Sequence, residues 1–193
     1  MTWPLIIRKM IFLCFVFLLS LTGFSEEKNY RLADAQKVLQ AIDKVQQESL
    51  QDSGGKLRFI TLTESELNAY IAFRIEKEEE ELMKELRLKL FEGNKIEGKI
   101  HIDLRGQELP RFIRPEMNLY FAADLQVSKG EAKFNIRQLF LEGQPIQPYL
   151  LDLIIAISAK LSKTEASSIN DWYELPYGIR DIKTHKGKAV FYY

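Results

Sequence analysis

Apolar residues follow two different spacings along the chain, and the change between them separates helical from extended segments. From Asn29 to Gln51 they recur every three or four residues, which places them on one stripe of a helix. A Ser-Gly-Gly sequence at 53–55 then ends the segment. We therefore predict an N-terminal amphipathic helix within residues 26–55. Its stripe consists of Leu32, Ala35, Val38, Leu39, Ile42 and Val45.

A second helix is predicted to begin at Thr63, after a short extended stretch from Leu57 to Leu62. Thr63 and Glu66 form the T-x-x-E pattern of a capping box, in which each side chain accepts a hydrogen bond from the other residue's backbone amide. The acidic run from Glu76 to Glu81 then predicts a solvated end to this helix. The inner face is expected to carry Leu67, Tyr70, Ile71 and Ile75.

From Leu86 onward apolar and polar residues alternate, which is the pattern of strands with one buried face. Two hairpins are predicted, with turns at 92–95 and 128–130. Beyond Gln138 the alternation slips, which indicates a bulge or a strand end that is covered on both sides. A last hairpin within 172–193 is expected to complete this antiparallel sheet.

Tyr149 to Leu161 is apolar on nearly every side, and Pro148 precedes it at a position that helices tolerate. Such a helix must be surrounded by other parts of the protein. At about 20 Å it is too short to cross a membrane, but it matches the inside of a curved sheet. An alternative is that Leu150 to Ile157 docks on a bilayer surface, but the charged residue Asp152 near the start of this segment makes that less favourable. The predicted fold class is α+β: residues 56–193 form a curved antiparallel sheet wrapped around a buried helix, preceded by amphipathic helices.

The first 25 residues have the organisation of a secretory signal peptide. Arg8 and Lys9 precede the apolar run Met10–Leu21, and small residues follow it up to Ser25. We expect cleavage after Ser25, so that the mature protein is periplasmic or extracellular. The alternative is an uncleaved membrane anchor, although the apolar core of about 12 residues is short of the roughly 20 that span a bilayer.

Composition narrows the functional classes. The 193 residues carry 27 basic and 27 acidic side chains, and this balance lacks the basic excess of a nucleic-acid-binding protein. The only cysteine, Cys14, lies in the predicted signal peptide, so thiol chemistry and cysteine-ligated metals are excluded for the mature domain.

The sequence offers no pattern typical of an active site. His101 and His185 have no partner at a metal-ligand spacing, and both are expected to be solvated. Nucleophile-elbow, P-loop and dinucleotide-binding motifs are not present. Asp103, Glu108 and Asp124 could form a carboxylate pair only if the fold brings them together. We therefore expect a protein that is not an enzyme, with no catalytic residue, metal or cofactor.

Two segments resemble those of a known family. "ITLTESELNAYIA" at Ile60–Ala72 and "ELPYGIRDIKTHKGKAVFYY" at Glu174–Tyr193 are similar to small exported bacterial proteins with a tubular lipid-binding (TULIP-like) module. The resemblance implies a highly curved sheet around a long helix, and a channel that binds a lipid or another long apolar molecule. The resemblance does not imply a catalytic role for any residue of this chain.

The leading functional hypothesis is an exported carrier that binds a lipid or other apolar ligand between the sheet and the helix at 149–161. The alternative is an envelope scaffolding module with a solid core, which binds another protein through the stripe on Leu32–Val45. Transient membrane contact is compatible with either hypothesis, and no nucleic-acid partner is expected. The side chains expected to line the ligand site are Leu88, Leu90, Ile100, Ile102, Leu119, Phe121, Phe134, Ile136, Leu150 and Ile154.

Overall fold

A computed structural model of the chain describes residues 30–51, 57–77, 82–106, 114–152, 156, 168 and 171–193, and shows an α+β protein. The helices are α1 (Leu32–Gln51) and α2 (Glu64–Lys77), with a short 3-10 turn at Pro176–Gly178. The strands are β1 (Phe59–Thr63), β2 (Met83–Phe91), β3 (Lys95–Asp103), β4 (Glu116–Ser128), β5 (Glu131–Leu141), β6 (Gln144–Pro145), β7 (Tyr173–Glu174), β8 (Asp181–His185) and β9 (Lys188–Tyr192).

The larger sheet is a curved antiparallel half-barrel in the order β2-β3-β4-β5-β6, with β7 paired to β5. Its two long hairpins turn where the sequence predicted. The predicted irregularity near Gln138 is a bulge: β4 pairs Ala122 with Gln138 and Ala123 with Ile136, so Arg137 is the extra residue. The added residue restores the apolar side chains of β5 to the same face before and after it.

The last hairpin does not complete the larger sheet as the sequence predicted. Strands β8 and β9 instead form a second, three-stranded sheet with β1, in the order β1-β9-β8. The reason is the apolar face of the hairpin: Ile182, Ala189 and Phe191 join the cluster formed by side chains of the larger sheet. Packing face to face buries these residues, whereas adding the hairpin to a sheet edge would not.

One face of the larger sheet is apolar along β2 to β5, and its side chains form three connected groups. At one end Leu82, Ile102, Leu104 and Met117 pack together. At the other end Leu90, Ile96, Leu125 and Ala132 pack under the small sheet. Between them, Leu119 and Leu139 contact Leu151.

Leu151 belongs to a helical turn at 148–152, the described start of the predicted helix Tyr149–Leu161. Its side chain is only 5% exposed, whereas that of Tyr149 is 66% exposed. Of the rest of that helix only Ala156 lies within the described residues, and it is exposed. The predicted signal peptide at 1–25 lies outside them. Among the helices that are described, none is both long and apolar enough to cross a membrane.

Helix α2 begins with the predicted capping box. The Glu66 amide donates to Thr63 Oγ1 at 3.2 Å, and the Thr63 amide donates to Glu66 Oε2 at 2.8 Å. Helix α1 packs against α2, and its Val38 and Ala41 contact Leu62 of β1. The helix therefore folds back on the domain that follows it. At the N-terminal end of the predicted stripe, Leu32 is 43% exposed.

Candidate functional site

The residues predicted to line a ligand site belong mostly to the packed apolar face of the larger sheet. Leu90, Ile102 and Leu119 are buried, and Leu150 is half-buried. Ile154 lies outside the described residues. These side chains contact one another within the three groups described above. The half-buried members that complete this packing are Leu88, Ile100, Phe121, Phe134 and Ile136.

At the centre of this face the ring of Phe121 covers Gly98, its cross-strand neighbour. A Cβ placed on Gly98 would lie 2.2 Å from Cε1 and Cζ of that ring, so glycine is the only residue that leaves room for it. Phe121 contacts the group under the small sheet and the group around Leu119. The ring therefore packs over the centre of the face on which the sequence predicted the ligand to lie.

An apolar cavity of about 190 Å³ lies elsewhere, between α1 and the small sheet. One wall comes from the stripe of α1, a second from β1 and β9, and a third from the start of α2 and the turn at 176–179. The sequence predicted the stripe, but no local signal showed which strands would face it. The lining residues are Val38, Ala41, Ile42, Val45, Ile60, Leu62, Leu67, Tyr70, Pro176, Ile179 and Phe191.

A polar network holds α1 in place next to this cavity. Three residues after Val45, on the same side of the helix, Glu48 Oε2 accepts hydrogen bonds from the Tyr193 hydroxyl at 2.9 Å and from Arg58 at 3.0 Å. The bond from Tyr193, followed by that from Arg58, lowers the pKa of Glu48 below its ordinary value. Burial, followed by the bond to Glu48, raises the pKa of Tyr193. The network joins the end of α1 to one end of the β1–β9 pair, where Arg58 and Tyr193 lie opposite each other.

The contacts of α1 bear on the protein-binding alternative, which needed its stripe to be exposed. Ala35, Val38 and Val45 are buried, and Leu39 and Ile42 are half-buried. Most of the stripe therefore packs within the domain, and Leu32 at its N-terminal end remains exposed.

A larger groove of about 700 Å³ lies between α2 and β2, and its lining mixes charged, polar and apolar side chains. Asn68, one of the lining residues, bonds to both main-chain groups of Leu88: Oδ1 accepts from its N–H at 2.7 Å and Nδ2 donates to its C=O at 2.8 Å. Glu64 accepts from the Leu90 N–H at 2.7 Å. Helix α2 thus closes much of this sheet edge with side chains.

Of the titratable groups named from the sequence, the two histidines each lie beside a carboxylate. His101 lies 3.4 Å from Glu116, and His185 lies 3.0 Å from Glu92. Each histidine therefore has a carboxylate neighbour, which the expectation of solvated side chains did not include. In the described ranges, no three His, Cys, Asp or Glu side chains are placed so that they could hold a metal ion.

The carboxylates considered as a catalytic pair are also separated. Asp103 lies opposite Glu116 at one end of β3, and Asp124 lies opposite Lys95 at the other, so they are about 25 Å apart along the sheet. Asp103 bonds to Arg105, which holds the pKa of its carboxyl far below the usual range. Glu108 lies outside the described residues.

Neither a protein-family model nor a curated protein sequence matches this chain. The resemblance to TULIP-like proteins therefore stays a prediction that rests on the two sequence segments.

Proposed function

We propose that this protein is exported and binds an apolar ligand, without catalysis, in the cavity between α1 and the small sheet. One observation carries the proposal: every side chain that lines the cavity is apolar except for the hydroxyl of Tyr70. That hydroxyl already accepts a hydrogen bond from Arg74 at 2.8 Å. An ordered water needs two to four polar partners, and the lining side chains supply almost none.

The size of the cavity indicates what part of a ligand it holds. Apolar cavities of about 150 Å³ stay dry and accept benzene or xenon, while sites that enclose a whole small ligand measure about 300–1,000 Å³. At about 190 Å³ the cavity fits the end of an acyl chain or a small apolar ring. The rest of a lipid would remain outside it.

This location differs from the one that the sequence suggested, although both lie between a helix and a sheet. We propose that the helix predicted at Tyr149–Leu161 covers the apolar face of the larger sheet as part of the core. The contacts of Leu151 with Leu119 and Leu139 support this role. The ligand site would then differ from the one predicted between the larger sheet and this helix, although it shares Leu67 and Phe191 with the core group under the small sheet.

The test is to fill the cavity from α1 and to compare the result with the same substitution outside it. Ala41 lines the cavity, whereas Ala33 is exposed on the same helix. We expect the wild type and Ala33→Phe to bind a fluorescent fatty-acyl probe, and Ala41→Phe to bind it at least about tenfold more weakly. Circular dichroism should show that both variants are folded.

Two outcomes contradict the proposal. The first is wild-type protein that takes up no acyl probe and carries no lipid detectable by mass spectrometry after purification. The second is equal probe binding by Ala41→Phe and Ala33→Phe, which would place the ligand on another surface, such as the apolar face of the larger sheet.

A further inference from the structure

Strand β1 is an edge strand, and its outward main-chain groups have no partner among the described residues. The Arg58 N–H donates to the Tyr193 C=O at 2.9 Å, and the Tyr193 N–H donates to the Arg58 C=O at 3.0 Å. Bonding alternates along an antiparallel pair, so Phe59 and Thr61 turn their N–H and C=O groups away from β9. Within the part of the chain that the structure describes, these four groups make no hydrogen bond.

Two other sheet edges in the described part of the chain, those of β2 and β8, are blocked by side chains. Asn68 and Glu64 occupy the edge of β2, as described above. On the outer edge of β8, the Thr184 N–H donates to Asn94 Oδ1 at 2.9 Å, and the Ile182 N–H donates to the carboxylate of Asp181 at 2.8 Å. Such blocking prevents a sheet edge from pairing with another chain. The edge of β1 is different because its main-chain groups have no such cover.

The side chains around this edge are also those of a contact surface. Phe59 is 66% exposed and Leu57, just before the strand, is 60% exposed. From Phe59 to Thr63 the strand has no charged residue. Natural edge strands that stay unpaired commonly carry lysine, proline or an inward charge, and β1 has none of these.

We propose that β1 pairs antiparallel with β1 of a second copy of this chain, so that the small sheets of two molecules join into one six-stranded sheet. In the two-fold arrangement centred on Ile60, Phe59 lies opposite Thr61 of the other copy. Two N–H groups and two C=O groups from each strand then form four hydrogen bonds. No like charges face each other across this uncharged pair of strands.

The hydrogen bonds already made by β1 favour this register. Pairing centred on Thr61 would place Phe59 opposite Thr63, whose N–H is already bonded to Glu66 at 2.8 Å. Pairing centred on Ile60 uses only the groups that are unpaired in one molecule. It also brings the exposed ring of Phe59 beside Thr61 of the other copy, which removes apolar surface from water. A second copy of the chain fits this edge because its own β1 offers the same unpaired N–H and C=O groups, so each strand donates and accepts two hydrogen bonds.

Sedimentation equilibrium of the purified protein tests the proposal, with Thr61→Pro as the disrupting variant and Thr61→Val as its matched control. The wild type and Thr61→Val should approach twice the mass of their own monomer as concentration rises. Thr61→Pro should weaken the dimer at least about tenfold, because proline removes an outward N–H that β9 does not use.

Amide hydrogen exchange of the wild type gives a second readout that needs no substitution. The amides of Phe59 and Thr61 should become protected as concentration rises, while those of Ile60 and Leu62, which are bonded to β9, should be protected at every concentration. A protein that stays monomeric, a dimer unaffected by Thr61→Pro, or fast exchange at Phe59 and Thr61 in the dimer would each overturn the proposal. Since acyl-probe binding is measured separately, a monomer that binds the probe refutes the dimer alone.

Discussion

Substitution of Gly98 by alanine tests directly whether the ring of Phe121 packs against this glycine at the centre of the larger sheet. The added methyl group would lie 2.2 Å from the ring of Phe121, so the ring must leave its place between two groups of core side chains. Such overpacking costs about 1–3 kcal/mol. Alanine also restricts the unfolded chain, which returns about 0.4–1 kcal/mol. We expect a net loss of about 1–2 kcal/mol in the free energy of unfolding.

Urea unfolding followed by circular dichroism measures this loss, and a double-mutant cycle identifies its cause. In a Phe121→Leu background the ring is gone, so Gly98→Ala should be nearly neutral or slightly stabilising. The coupling energy between the two positions should then exceed about 0.5 kcal/mol. The reasoning is refuted if Gly98→Ala costs the same in both backgrounds, or if it leaves the wild-type stability unchanged. The other six glycines within the described residues have positive φ, so they cannot serve as controls for a purely steric effect.

Three further predictions concern the edge of β2, the capping box and export. Asn68→Ala leaves both main-chain groups of Leu88 without a partner and should cost about 1–3 kcal/mol in urea unfolding, and a loss below about 0.5 kcal/mol would argue against this role. The pKa of Glu66 lies below its ordinary value of 4.5, first because the Thr63 amide donates to its carboxylate. The ionised Glu66 carboxylate thus contributes its full stabilisation above pH 4.5, and this contribution is lost as the pH falls through the lowered pKa. The urea midpoint of Glu66→Gln should therefore fall less steeply with decreasing pH than that of the wild type. N-terminal sequencing of the exported protein should find Glu26, and an intact Met1 on membrane-bound protein would show an uncleaved anchor.

Features that depend on neighbouring residues in the sequence were predicted well. The capping box of Thr63 and Glu66 needs only a three-residue spacing, and the structure shows both of its hydrogen bonds. The alternation in β3 likewise marks the apolar face, and the slip beyond Gln138 marked the bulge at Arg137. In each case the physical cause acts within a few residues, so it leaves a local pattern.

Features that depend on distant residues left no such pattern. Nothing near Asn68 indicates that its side chain bonds to the main chain of Leu88, because that contact depends on how α2 docks. The apolar cavity forms where α1, β1 and the turn at 176–179 come together. The sequence of each segment alone is that of an ordinary amphipathic segment. The same limit explains the misplaced last hairpin, since alternation shows that a strand has an apolar face but not which sheet this face covers.

The pairing of β1 with β9 also determines when the domain can close during synthesis. Phe59 is made early, whereas its neighbour Tyr192 emerges only after both hairpins of the larger sheet. Until then β1 has no neighbouring strand, and α1 has only α2 to pack against. Contacts between such distant segments form slowly because a long loop must first be closed. The leading half of the chain therefore cannot reach its final shape until the last strand has been made.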